Sequence, residues 1–125
     1  MAAQAILVVV VVRDSGLRSA LAAHLSLDGL DLLTASGIGY GLLGSSMIRE
    51  PSVLVIDEGV IPCDAERWIE TQRSLGNWRH LVVVNGITPT PVNGAEWLIR
   101  ISHRNSREIL SELLADWVKD ESRAR

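Results

Sequence analysis

Pro51-Ser52-Val53-Leu54-Val55-Ile56-Asp57 decides the fold of this chain. A proline opens the run, four apolar residues rich in β-branching follow, and a carboxylate closes it. A segment apolar on both faces reads as a strand buried inside a sheet, because a half-exposed strand alternates polar and apolar residues. Asp57 then falls where the strand emerges at its C-terminal end. In open α/β sheets that edge is where ligands and chemistry gather.

Outward from this strand, apolar runs and helical spacings alternate. Ile6 to Val12 is mostly valine and reads as a central parallel strand. Arg13-Asp14-Ser15-Gly16 breaks it, and Leu17, Leu21 and Leu25, with Ala20 between them, recur at helical spacing up to Asp28-Gly29. Leu30 to Ala35 reads as a second strand. Gly37, Gly39, Gly41 and Gly44 then weaken a helix expected from Tyr40 onward. After Asp57, a loop runs through Pro62 and Cys63 to Asp64, which suits the N-cap of a helix burying Trp68, Ile69 and Leu75 and ending at Gly76. Leu81 to Val84 and Trp97 to Ile101 read as further strands. Asn105 and Glu108 resemble a capping box opening a last helix that buries Ile109, Leu110, Leu113, Leu114 and Trp117. The organisation expected is one domain over residues 1–120, with a polar tail at 121–125 that frays or begins a linker.

This alternation predicts an α/β domain built on a doubly wound sheet of about five mainly parallel strands. One interval breaks the rhythm. Between Val84 and Trp97, Pro89 and Pro91 forbid an ordinary helix, so the crossover helix is expected to be missing or much reduced. A parallel return still reaches, since a strand spans roughly 17 Å and about ten extended residues roughly 33 Å. An antiparallel last strand is the alternative. Without the helix, part of one sheet face should be open, and Ile87, Val92, Trp97 and Ile99 are candidates for a partner-binding surface, because exposed apolar patches mark contacts.

The bulk properties narrow the function. A chain of 125 residues makes one core. A net charge of −3 gives no field that would draw the domain to a nucleic-acid backbone or an anionic membrane, so neither partner is expected. Cys63 is the single cysteine, which excludes an internal disulfide and fits a reducing cytoplasm. The run from Ala5 to Val12 has no basic residue before it and Arg13-Asp14 after it, so it reads as a buried strand in preference to a signal sequence, and it is too short to span a bilayer.

With these elements in order, nearly the whole chain resembles the receiver domain of two-component response regulators. Ile6-Leu7-Val8-Val9, Leu17-Arg18-Ser19-Ala20-Leu21, Pro51 to Asp57 and Gly94-Ala95-Glu96-Trp97-Leu98 carry the likeness. No one of these phrases is specific; their order and spacing together are. The resemblance implies a flavodoxin-like strand order of 2-1-3-4-5, and a signalling role governed by phosphorylation of the aspartate at the position of Asp57. The pocket positions it implies are Val12, Arg13, Asp14, Asp57, Gly59, Asn85 and Arg100.

Most of those positions depart from the family pattern. The acidic pair that holds Mg²⁺, offsetting phosphate repulsion as the carboxylate attacks, falls on Val12 and Arg13, with Asp14 one position beyond. The family's hydroxyl residue falls on Asn85, its lysine on Arg100 and the following proline on Ile101, while Pro62 sits one residue late. The reading is a pseudo-receiver: a regulatory interaction module without a cofactor and without enzymatic activity, its Asp57 a relic. Either Arg13 or Arg100 neutralises Asp57, or the carboxylate simply caps loop amides. The alternative is a phospho-accepting receiver using Asp57, in which Asp14 and Asp57 would hold Mg²⁺. The partner implied is another protein, a second copy, or a C-terminal output domain in a longer chain.

Other signals compete weakly. Gly39-Tyr40-Gly41-Leu42-Leu43-Gly44 matches G-x-G-x-x-G and defines a dinucleotide-binding alternative, although the stretch to Asp57 leaves room for only a short helix. Arg100, His103, Arg104 and Arg107 read as a solvated turn rather than a site for an acidic partner. Nothing in the spacing places His80 near Cys63 to activate it.

Overall fold

A computed structural model of the chain describes residues 6–25, 30–37, 52–62, 64–84 and 96–123. The elements in order are β1 (Ile6–Val11), α1 (Ser15–His24), β2 (Leu30–Ala35), β3 (Ser52–Asp57), α2 (Ala65–Leu75), β4 (His80–Val84), β5 (Leu98–Ile101) and α3 (Ser106–Arg123). The expected helix from Tyr40, the Gly39/Gly41/Gly44 loop, Pro51, Cys63, and the interval containing Asn85, Ile87 and Val92 lie outside the described residues.

Every residue of β1 is buried, as an Ile/Leu/Val run without polar alternation requires when a sheet is covered on both faces. The two-residue period of the strand splits that run between two cores. Leu7, Val9 and Val11 point to the side of α2, with Leu54, Ile56 and Ile69. Val8, Val10 and Val12 point to the side of α1 and α3, with Leu21, Leu114 and Trp117. The five strands form one sheet in the order β2-β1-β3-β4-β5, and every neighbouring pair is parallel. The architecture is therefore the doubly wound, flavodoxin-like one expected, and β5 returns parallel rather than antiparallel.

Local chemistry fixes the helix ends. The Asp14 carboxylate caps α1 by accepting from the Leu17 amide at 2.8 Å. Asp64 caps α2, accepting from the Glu66 and Arg67 amides at 3.1 and 3.5 Å. Gly76 ends α2 at φ 68°, a left-handed conformation that glycine adopts without steric cost, and its N–H donates to the Gln72 carbonyl.

Two expectations about the helices are corrected. Leu75 is 59% exposed, because the stripe facing the sheet runs through Ile69 and Gln72 and leaves Leu75 on its flank. The Gln72 side-chain carbonyl accepts from the Trp78 indole N–H at 3.0 Å, which lets a polar residue lie in the stripe facing the sheet. The backbone of α3 continues to Arg123, past Asp120 where fraying was expected.

Candidate functional site at the C-terminal edge of the sheet

The register brings β1 and β3 out of the sheet side by side. Val11 lies opposite Ile56, so Val12 and Arg13 leave β1 at the level of Asp57. Asp57 in turn lies opposite Val84, and Val84 opposite Ile101. The Val12 side chain is fully buried in the core under α1 and α3.

Gly59 connects the two charged residues of this edge. The half-buried Asp57 carboxylate turns back on its own chain and accepts from the Gly59 N–H at 3.1 Å, capping a short 3-10 turn at Glu58–Val60. The Arg13 guanidinium donates to the carbonyl of the same Gly59 at 3.1 Å. Arg13 is held in place by a neighbour that sequence reasoning missed. The Arg18 guanidinium donates to the Val12 carbonyl at 2.8 Å and the Arg13 carbonyl at 3.3 Å, which ties the β1–α1 loop to the first turns of α1. The only sequence signal for this was a cation one helical turn beyond the capping Asp14.

Of the two expectations for Asp57, neutralisation by an arginine or capping of loop amides, the carboxylate shows the second. Among the described residues, neither Arg13 nor Arg100 forms an ion pair with it. Arg100 is paired instead with Glu66 of α2. Strand parity is the reason. Arg100 lies opposite Val83, which lies opposite Ile56, and both of those side chains face α2. Asp57 belongs to the alternate row with Val84 and Ile101, which face the other side.

These residues do not fit a divalent cation. Among the described residues no group of three or more His, Cys, Asp or Glu side chains is placed to hold a metal. Asp14 and Asp57 are each committed to a backbone amide, and a guanidinium sits on the adjacent carbonyl, whereas Mg²⁺ demands a near-ideal octahedron of oxygen ligands.

The surface expected near β5 is also different. Ile99 is only 4% exposed and packs in the core beneath α1 and α3, because Ile99 and Ile101 share the parity that α3 covers. Trp97 is half-buried. Its indole N–H donates to the Trp78 carbonyl at 3.0 Å, and the Arg73 guanidinium lies 4.8 Å from the ring centroid. Neither residue offers an open apolar face.

The opposite, N-terminal edge of the sheet holds a second polar constellation. His80, the first residue of β4, stacks on Trp117 of α3 with ring centroids 4.0 Å apart and 10° between planes. Its Nδ1 lies 2.9 Å from the Glu96 carbonyl, which can only accept, so Nδ1 carries the proton. Burial pushes the His80 pKa below its ordinary value of 6.5, outweighing the hydrogen bond to Glu96. The folded chain then binds fewer protons than the unfolded chain as the pH falls through 6.5. His80 therefore contributes fully above that value and progressively less down to its own lowered pKa. Urea unfolding at stepped pH should show this loss of stability between neutral and mildly acidic pH, and His80→Phe should flatten that part of the profile.

No helix among the described residues is long and apolar enough to cross a membrane. Compared with the models of known protein families and with curated proteins, the chain matches none.

Proposed function

We propose that this chain is a degenerate receiver: a cytoplasmic regulatory module that works through contacts with a protein partner or a second copy, without enzymatic activity and without Mg²⁺-dependent phosphorylation. The single observation that carries the reading is the Arg13 guanidinium on the Gly59 carbonyl, beside a carboxylate engaged with the Gly59 amide. Phosphoryl transfer to a carboxylate brings two anions together and needs a concentrated positive charge to offset them. Here a guanidinium, held by one carbonyl, stands where the resemblance would put a carboxylate ligand of a dication. The strand order and the position of Asp57 at the end of β3 support the receiver half of the reading.

The test of the occupied edge is a Mg²⁺ titration followed at the Asp14, Asp57 and Gly59 amides by NMR. No saturable shift through the millimolar range is expected. Saturable shifts at those amides would remove the basis for calling the pocket degenerate.

One observation favours a second reading. Asp57 is half-buried and carries no cation partner among the described residues, so its carboxylate is not locked in an ion pair. A phospho-accepting receiver would need that freedom, with Arg13 swinging away to admit Mg²⁺.

A further inference from the structure

A pocket of about 130 Å³ opens at the N-terminal edge of the sheet, where β1, β3 and β4 begin, far along the strands from Asp57. That volume is close to the roughly 150 Å³ of an apolar cavity that admits one benzene ring. Ile6 and Val53 give it apolar walls, and Trp117 and the stacked His80 give it aromatic ones.

His80 supplies the specificity. The residue is only 9% exposed, its Nδ1–H is spent on the Glu96 carbonyl, and its Nε2 has no hydrogen-bond partner among the described residues. The tautomer fixed by Glu96 leaves Nε2 as a bare acceptor. His80 lines the pocket, and a ligand there that brings one donor can hydrogen-bond to this acceptor in place of water. The Ser52 hydroxyl, also in the wall, already donates to the Asn77 carbonyl at 2.9 Å. Arg79 and Asp120 line the pocket with opposite charges, which together favour neither an anion nor a cation.

We propose that this pocket binds a small, uncharged, single-ring aromatic molecule carrying one O–H or N–H donor, which hydrogen-bonds to Nε2 of His80 and packs against Trp117, Ile6 and Val53. A ligand there contacts both the sheet and the C-terminal half of α3, so binding would strengthen the docking of that helix. The site is independent of Asp57 and of the receiver reading.

Phenol and toluene are the probes, because they match in size and differ in the donor. Each is titrated into the 125-residue chain at neutral pH, with NMR shifts read at the His80 ring, the Trp117 indole and the Ile6 and Val53 methyls. Saturable shifts confined to these groups are expected from both. The phenol-to-toluene affinity ratio should fall about fivefold in His80→Phe, which keeps a stacking ring and removes the acceptor. In the wild-type chain at neutral pH the ¹⁵N resonance of Nε2 should move toward the hydrogen-bonded range with phenol and stay in place with toluene, so the result does not depend on the variant folding. No saturable shifts, shifts elsewhere in the chain, or an Nε2 resonance that responds alike to both probes would each overturn the proposal.

Discussion

Replacing Trp117 with alanine is expected to destabilise the fold by about 3–5 kcal/mol, read as a lowered urea midpoint with little change in slope. Trp117 is 5% exposed and anchors the C-terminal half of α3 to the core shared with α1. Its truncation removes the apolar area of the ring and leaves a cavity that the rigid sheet beneath cannot collapse to fill. It also strips the stacked face from His80, so water reaches the imidazole and the desolvation that lowers its pKa is relieved. The pH dependence of stability between neutral and mildly acidic conditions should therefore shrink in the same variant. An effect below about 1 kcal/mol would mean that α3 is not held by this contact.

On the other face, Leu54→Ala is expected to cost about 2–5 kcal/mol in the same measurement. Leu54 is fully buried at the middle of β3, opposite Val9 of β1 and Leu81 of β4. Its side chain lies in the core beneath α2, in the strand flanked on both sides by others, where the backbone is least free to relax. Against a total of roughly 5–15 kcal/mol for a domain of ordinary stability, either substitution removes a large part. A small effect at Leu54 would indicate that α2 is loosely seated on the sheet.

The strands were legible because their chemistry is local. A valine run without polar alternation permits only a strand buried on both faces, and β1, β3 and β4 lie where those runs stand, with β4 beginning one residue early at His80. The α2 boundaries were legible for the same reason, since Asp64 and Gly76 act on the nearest backbone groups. The site was less legible because its geometry depends on which side of the sheet a residue faces. Arg100 was expected beside Asp57 on position alone, but the alternation along β5 turns it toward Glu66. The same alternation buries Ile99 under α3. Arg18 reaches back to loop carbonyls, an interaction with no residue pattern of its own. The pairing of His80 with Trp117 joins the start of a strand to the end of a distant helix, and only the completed sheet brings those ends together. Gln72 shows the converse, a polar residue in an apolar stripe made acceptable by one buried indole N–H.

In the function proposed above, Arg13, Asp57 and Gly59 close to phosphoryl transfer the edge of the sheet that resembles a phosphate-accepting site. The intact mass of the 125-residue chain after incubation with Mg²⁺ and acetyl phosphate tests it most directly. The account predicts the unmodified mass alone; a stoichiometric phosphoryl adduct that Asp57→Asn abolishes would contradict it.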